Sequence, residues 1–336
     1  MQKILLPVYV LLASLAARTQ PASDSLKLFL ENVFSTIQQN SVYHSVFDWK
    51  TLHATVFSGI DTAHTKNDLI PAIRTIYRSL NDKHGAVILD GKRIGMNEKP
   101  TFTIRQVLKD QFKTGIPKIR TRFFDGGYGY ILIPGISFDP AKTGVQAQEI
   151  QDSLCQLEPQ QLKGLIIDLR LNGGGNMHPM ITGLHQVIGD GPVGSFCDLN
   201  GKPFRLWRIK DNAFYIDSMK MLTVMDRCSI PGSLKVVVLL SQITASSGEI
   251  LAITLKGRPQ TLYIGEKSAG YATSNAGPFY IDGQQVFVMS SLIADRNGNI
   301  YTEGLSPDIQ IVEGDDFTDL AADAKVSAAL HWLRGK

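Results

Sequence analysis

Ser246 lies between a predicted strand and a predicted helix, a position from which a hydroxyl can act as a nucleophile. The apolar, β-branched run 236–240 predicts a strand buried on both faces, and residues 248–255 predict a helix. Free N–H groups and the dipole at the start of such a helix can stabilise an oxyanion formed beside the serine. Thr244, Ser246 and Ser247 also suit helix capping. The nucleophile therefore needs support from the rest of the chain.

A glycine-rich loop offers a second chemical feature. The buried run 165–169 predicts a strand, Gly173 to Gly175 follow it, and a helix is predicted over about 178–188. Bare N–H groups at a helix start can bind phosphate, but neither GxGxxG nor GxxxxGK[ST] is present. The same N–H groups could face an oxyanion, or the glycines could simply allow a tight turn.

His84 is the third candidate, and it lies between a predicted helix over 68–80 and a predicted strand over 86–89. It is one of seven histidines, so a surface or capping role is the favoured interpretation of this residue in isolation. Asp82, two positions earlier, is a typical residue for a helix-terminating turn.

The predicted elements that must position these residues change near residue 85 from helices alone to short strands and helices. Helical spacing of apolar residues predicts three helices before that point, over Ser23 to about Gln39, Asp48 to Phe57 and Asp68 to Leu80. Short strands and helices follow. Strands are predicted at 86–89, 101–106, 127–136 and 309–312, a hairpin at 278–293 around Asp282-Gly283, and helices at 144–157 and 317–333.

Composition limits the function classes. The 336 residues are 43% hydrophobic, enough for a substantial core, and 34 basic against 31 acidic side chains leave a net charge of +3 without long runs of one sign. Nucleic-acid binding is not indicated. Residues 1–16 have a basic Lys3, a short apolar run and small residues before Ala17, which predicts a secretory signal cleaved after Ala16. The mature chain is expected to lack a membrane span and to be exported, periplasmic or extracellular.

The three cysteines, Cys155, Cys197 and Cys228, are too few and too scattered for a disulfide framework or a zinc site. At most one bridge can form, and Cys197 with Cys228 is the first pair to test. The odd count favours buried free thiols instead. No metal or other cofactor is expected.

Four motifs taken in order resemble the C-terminal processing (tail-specific) serine peptidases and their tricorn-core relatives, over about Asp68 to Leu333. They are DLRLNGGG at Asp168 to Gly175, TASSGE at Thr244 to Glu249, GEKSAG at Gly265 to Gly270, and EGLSPD at Glu303 to Asp308. The resemblance implies an α/β fold with a ClpP/crotonase-like spiral core of βα units. Here that core would follow a small N-terminal helical domain. The expected organisation is a signal peptide at 1–16, a helical domain at 23–85 and a peptidase core at 86–336.

The resemblance also implies a general base. Tail-specific members use a lysine one residue after the glycine that matches Gly270, where this chain has Tyr271. Tricorn-like members use an upstream histidine, and Leu80 to His84 has the matching form LxDxH. The glutamate that orients that histidine falls on Glu303.

The resulting hypothesis is a relay of Ser246, His84 and Glu303, in which His84 takes the serine proton and Glu303 holds the imidazole tautomer directly or through a water or hydroxyl. Backbone N–H groups of Gly174 and Ser247 would hold the oxyanion, with Gly173 as the alternative glycine.

Several other residues have open roles. His178, Lys267 and Tyr271 are candidates for contacting substrate, and Lys267 could act as the base if burial lowered its pKa. Glu249, in the first turn of the nucleophile's helix, is expected to make a structural hydrogen bond.

These expectations define a secreted, metal-independent serine peptidase that acts on peptide or protein substrates through an acyl-enzyme. No PDZ segment is recognisable between His84 and Gly127, so selection of a substrate's C-terminal tail is not indicated. The alternatives are a non-catalytic ligand-binding protein on the same fold, and a serine esterase or acyltransferase.

Overall fold

A computed structural model describes residues 24–96 and 103–335. The predicted signal peptide at 1–16 lies outside the described residues. Nine helices are present in the part described: α1 (Asp24–Asn40), α2 (Trp49–Phe57), α3 (Ile70–Ser79), α4 (Gln106–Asp110), α5 (Thr143–Cys155), α6 (Met177–Gly183), α7 (His185–Ile188), α8 (Ser247–Leu255) and α9 (Ala324–Leu333). Within the same ranges, no helix is both long enough and apolar enough to cross a membrane.

The strands fall into two sheets. In chain order they are β1 (Ala86–Leu89), β2 (Lys92–Ile94), β3 (Arg120–Phe124), β4 (Tyr128–Leu132), β5 (Gly164–Asp168), β6 (Gly191–Cys197), β7 (Pro203–Lys210), β8 (Ala213–Ile216), β9 (Met219–Thr223), β10 (Lys235–Leu240), β11 (Thr261–Gly265), β12 (Thr273–Ile281), β13 (Gln284–Asp295) and β14 (Ile309–Gln310). One sheet has the order β2-β1-β13-β6-β7-β8-β9, with β12 also paired to β13, and the other has the order β14-β11-β10-β5-β4-β3.

The second sheet is parallel from β4 to β14 and is built from βα units, which confirms the predicted α/β class. Its central strands are apolar throughout because both faces are covered by helices or by the other sheet. Leu239 lies opposite Asp168, and Leu240 lies opposite Gly265. The carboxyl ends of β5, β10 and β11 therefore meet at one edge, the usual place for a site in such sheets.

The N-terminal helices form where the apolar spacing predicts them. Six of the apolar residues of α1 are buried, whereas Leu28 on the same helix is exposed. Asp48 caps α2 by accepting a hydrogen bond from the N–H of Thr51. Their core also contains Val87 and Leu89 of β1 and Val286 and Val288 of β13. The helices and the antiparallel sheet thus share one apolar core, and the division at residues 85 and 86 stays a prediction.

Three sequence expectations about elements are wrong. Residues 103–105 of the predicted strand 101–106 form no strand, and Gln106 begins α4 instead; residues 101 and 102 lie outside the described residues. The helix predicted over 178–188 is two helices, α6 and α7. The closing helix begins at Ala324 rather than at residue 317, because Asp323 caps it by accepting from the N–H groups of Lys325 and Val326.

The cysteine expectation is also wrong. Cys155, at the end of α5, is bonded to Cys228, with 5.5 Å between their Cα atoms, and Cys197 is the free, buried thiol of the described residues. Arg227 pairs with Asp152 on α5 and so holds the segment after β9 against that helix. Cys197 instead lies on β6 in a small apolar cluster with strand β13.

A buried charge cluster anchors the chain just before the glycine loop. The guanidinium of Arg170 is fully buried and donates to the carboxylates of Asp168, Asp315 and Asp323 at 2.6 to 3.0 Å. A buried charge is tolerated when it is paired and hydrogen-bonded in this way. The cluster therefore ties the end of β5 to the C-terminal segment.

Candidate active site

Ser246 occupies a strained turn at the head of α8. Its backbone has φ of 52° and ψ of −121°, a positive φ that a residue with a side chain rarely adopts. Strained backbone of this kind persists where surrounding contacts impose it, and it clusters at functional sites. The turn leaves Ser246 half-buried at the edge where the parallel strands end.

The carboxylate of Glu249 imposes that conformation. It is fully buried and accepts hydrogen bonds from the N–H of Ser246 at 2.9 Å and the hydroxyl of Ser268 at 2.5 Å. It also accepts from the N–H groups of Gly270 at 2.9 Å and Tyr271 at 2.8 Å. Burial raises the pKa of Glu249, and these four donors oppose the rise. Glu249 thus joins the Ser246 turn to the turn that follows β11.

The glycine loop after β5 lies directly against the serine. A Cβ at Gly174, where φ is +104°, would stand 2.8 Å from the Cβ of Ser246. The hydroxyl of Ser247 donates to the carbonyl of Gly175 at 2.7 Å. Only glycine fits Gly174, because both the φ and the close approach exclude a side chain. The sequence prediction of a functional loop facing a nucleophile turn is consistent with this contact.

Asn172 fixes the two loops to each other, and the sequence analysis did not single it out. It is fully buried, its carbonyl accepts from the N–H of Ala245 at 3.0 Å, and its side-chain oxygen accepts from the N–H of Gly174 at 3.0 Å. Its position in the sequence, between a predicted buried strand and the glycines, is the feature from which its role could have been predicted.

The hydrogen bond from Gly174 to Asn172 affects which backbone N–H groups could hold an oxyanion. The N–H of Gly174 is already engaged, whereas no hydrogen bond within residues 24–96 and 103–335 uses the N–H of Ser247 or of Gly173. Within the described residues, these two N–H groups therefore have no hydrogen-bond acceptor of their own.

The main chain of His84 is fixed on both sides. Asp82, almost completely buried, accepts from the N–H of His84 at 3.0 Å and from the N–H of Met289 on β13 at 2.8 Å. The carbonyl of His84 accepts from Arg93 at 2.7 Å and from Asn275 at 3.0 Å. The loop between α3 and β1 is thus held by β2, β12 and β13.

The imidazole of His84 contacts the start of β12. Its Nδ1 lies 3.1 Å from the hydroxyl oxygen of Thr273, and the ring packs edge-on to Tyr271 with 5.6 Å between ring centroids. Burial, with a smaller effect of the Arg93 charge, lowers the pKa of His84 to about 4. The imidazole is therefore neutral at physiological pH, the form that can accept a proton.

Glu303 lies near the imidazole without touching it. Its exposed carboxylate pairs with Lys83 at 2.9 Å. Glu303 and His84 both line a cavity of about 70 Å³, together with Thr273. Among the hydrogen bonds of the described chain, none joins His84 to Glu303 or to Ser246.

His84 and Ser246 are nonetheless linked through two intermediate residues. The ring of His84 packs on Tyr271, and the N–H of Tyr271 donates to the same Glu249 carboxylate that accepts from Ser246. A chain of contacts thus connects the LxDxH segment with the turn at Ser246, although His84 and Ser246 are 162 positions apart in the chain.

The remaining candidates are less central. His178 lies half-buried in the first turn of α6 with its ring 5.7 Å from that of Phe214, and burial lowers its pKa. Lys267 is exposed to solvent, which removes the desolvation that a lysine base would need. Within the described ranges, no cluster of three or more His, Cys, Asp or Glu side chains is arranged to hold a metal ion.

Comparison with known families gives one match that covers most of this core. The model of peptidase family S41 matches residues 127–311, more than half of the chain. The match includes the glycine loop, the Ser246 turn and Glu303, but it begins after His84.

Curated relatives and solved structures agree with this match. The nisin-resistance protein of Lactococcus lactis subsp. lactis is 28% identical over 215 residues, 63% of this chain and 62% of that protein. The chloroplastic C-terminal processing peptidase of Tetradesmus obliquus is 28% identical over 162 residues, 48% of this chain and 31% of that protein. The chain thus covers less than two thirds of the length of these relatives.

Two solved structures share the fold across nearly the whole chain. A lipoprotein from Streptococcus agalactiae has a TM-score of 0.67 at 19% identity, covering 98% of this chain and 99% of its own. The photosystem II D1 C-terminal processing protease has a TM-score of 0.57 at 18% identity, covering 89% and 96%.

Proposed function

The chain belongs to peptidase family S41, and we propose that it is a serine peptidase in which Ser246 is the nucleophile and His84 is the general base. The observation that carries this proposal is the turn at Ser246. A strained serine at a helix start, pressed against a glycine loop with free N–H groups beside it, is an arrangement suited to attack on a carbonyl.

In the proposed reaction, neutral His84 accepts the Ser246 proton through Nε2 as the hydroxyl oxygen attacks the peptide carbonyl. The imidazolium then gives this proton to the leaving amine, and an acyl-enzyme remains. Water, deprotonated by His84, then attacks the acyl carbon, the ester bond to Ser246 breaks, and the imidazolium returns the proton to the serine oxygen. The oxyanion accepts hydrogen bonds from the N–H of Ser247 and from the glycine loop. The engaged N–H of Gly174 favours Gly173 as the loop donor.

We keep Glu303 as the third member of the relay. It lines the same small cavity as His84, so its charge can stabilise the imidazolium across a short gap. Tyr271, which packs on His84, is a proposed substrate contact, and His178 and exposed Lys267 are proposed to contact more distant parts of a peptide.

We further propose that the protein is exported. The disulfide between Cys155 and Cys228 supports this, because such bonds persist in oxidising compartments. The proposed substrate is a peptide or protein. Only 25 residues separate β2 from β3, too few for a PDZ domain, so an endopeptidase or a peptide-trimming enzyme is favoured over selection of C-terminal tails.

The test is labelling by a fluorophosphonate probe, which reacts with activated serines. Labelling of the wild type but not of Ser246→Ala would support the nucleophile. No labelling of either would favour the ligand-binding alternative. A labelled protein that hydrolyses simple esters but no member of a mixed peptide library would favour the esterase.

The base is tested separately with His84→Ala and Lys267→Ala. We expect the His84 variant to lose labelling and the Lys267 variant to keep most of it. The reverse result would show that the base assignment is wrong.

A further inference from the structure

We propose that Thr273 is the positioning residue for the general base, with its side-chain hydroxyl accepting a hydrogen bond from Nδ1–H of His84. This holds the neutral tautomer in which Nε2 carries the free lone pair. The inference rests on the proposed function, because it gives Nε2 the task of receiving the Ser246 proton. It assigns the direct contact with the imidazole to a hydroxyl rather than to the Glu303 carboxylate.

The geometry of Thr273 supports this role. Its hydroxyl oxygen lies 3.1 Å from Nδ1 of His84, and the residue is only 7% exposed. Thr273 opens β12 and pairs with Leu292 on β13, so the sheet fixes its main chain. Its branched Cβ restricts the side chain further. A buried, restricted acceptor holds an imidazole in one orientation.

The same strand also holds the main chain of His84. Asn275, two residues after Thr273, donates to the carbonyl of His84 at 3.0 Å. Strand β12 thus contacts the histidine at both its carbonyl and its ring. A contact at the ring alone could be incidental, whereas two contacts from one strand fix the whole residue.

Glu303 is placed differently. Its carboxylate is largely exposed and paired with Lys83. A carboxylate in contact with the imidazole would raise the pKa of His84, but that pKa is lowered to about 4 by burial and by Arg93, against a hydrogen bond to the main-chain carbonyl of Thr273 that raises it. The lowered pKa of His84 is therefore consistent with an uncharged hydrogen-bond partner at the imidazole.

Thr273 takes no proton in this scheme. The Ser246 proton moves to Nε2 of His84 and then to the leaving amine, while the proton on Nδ1 stays where it is. Thr273 therefore acts only through the orientation and tautomer of His84, and its removal should slow the attack by Ser246 without abolishing substrate binding.

The experiment compares four variants of the full chain, of which Glu303→Gln tests the carboxylate. Thr273→Val keeps the shape and removes the hydroxyl, and Thr273→Ser keeps the hydroxyl. Thr302→Val is the matched control, because Thr302 lines the same cavity but is exposed. The second-order rate of fluorophosphonate labelling is measured from pH 4 to pH 9, together with thermal unfolding. The tautomer of His84 is read from the ¹⁵N shifts of the imidazole by NMR.

We expect Thr273→Val to label at least about tenfold more slowly, within the range that a positioned base contributes. Thr273→Ser should recover most of the rate, and Thr302→Val should match the wild type. The NMR spectrum should show the Nδ1–H tautomer in wild type and Thr273→Ser, and a mixture of tautomers in Thr273→Val.

Wild-type labelling kinetics and an unchanged tautomer in Thr273→Val would overturn the proposal, since the main-chain carbonyl of Thr273 would then suffice. A shift in tautomer caused by Glu303→Gln but not by Thr273→Val would overturn it too. The NMR readout does not depend on activity. The wild type could fail to be labelled while Thr273→Val still changes the tautomer of His84. That result would refute the proposed function, but it would support the hydrogen bond between Thr273 and His84.

Discussion

At the scale of single residues, different neighbours control the proposed base, His84, and the proposed nucleophile, Ser246. Burial sets the charge state of His84, and hydrogen bonds to a buried carboxylate set the backbone of Ser246. The burial of His84 comes from residues distant in the chain, whereas the carboxylate that holds Ser246 belongs to Glu249, three positions along the chain.

The depressed pKa of His84 predicts the acid side of the pH profile. His84 must be neutral to accept a proton, so activity requires a pH above its pKa, and that value is about 4 instead of the usual 6.5. We expect kcat/KM for peptide hydrolysis to stay level down to about pH 5 and to fall near pH 4. A fall centred near pH 6.5 would contradict the lowered pKa of His84.

Replacing Glu249 with Gln should disable the nucleophile turn. An amide nitrogen would face N–H donors, leaving at least one buried donor unpaired at a cost of about 1–3 kcal/mol. We expect lower thermal stability and loss of fluorophosphonate labelling. Glu149→Gln, on the polar side of α5, is the control and should change neither measurement. Full labelling of Glu249→Gln would show that the turn does not need the carboxylate.

At the scale of elements, the site depends on two loops that touch. The glycine loop after β5 and the serine turn after β10 approach so closely that Gly174 has no space for a side chain.

Gly174→Ala should therefore separate the two loops. The added Cβ would meet Ser246 and force an unfavourable φ, which we expect to cost about 1–3 kcal/mol and most of the activity. Gly144→Ala in the first turn of α5, where a Cβ meets nothing within 4 Å, is the matched control. Thermal unfolding and labelling measure both effects, and equal behaviour of the two variants would contradict the close approach.

The spacing of apolar residues predicted the βα elements and helices α1 to α3. A helix that is buried on one face has apolar residues at helical spacing, and a buried strand has an apolar run. The same reasoning placed Ser246 and the glycines at strand ends. It did not find the meander β6 to β9, although each of those strands pairs with its neighbour in sequence. It could not find the role of Thr273, because that contact joins segments 189 positions apart. It also missed Asp323 as a cap, and so extended the last helix too far. The assignments of Ser246, His84 and Glu303 stay predictions until the variants are measured.

At the scale of the whole molecule, a single crosslink joins α5 to the segment after β9. It closes a loop of 73 residues, for which the chain-entropy estimate is a stabilisation of about 4 kcal/mol.

Thiol counting tests this crosslink. Denatured, unreduced protein should take one alkyl group, on Cys197, and reduced protein should take three. The double variant Cys155→Ser, Cys228→Ser should unfold at lower temperature while retaining labelling. Three alkyl groups without reduction would show that the bond does not form.

The contact between His84 and Thr273 joins segments 189 positions apart. The imidazole therefore cannot be held in this orientation until the chain has been synthesised through β12 and has folded. We expect a nascent chain that ends before β12 to have no peptidase activity, whichever other elements have already formed.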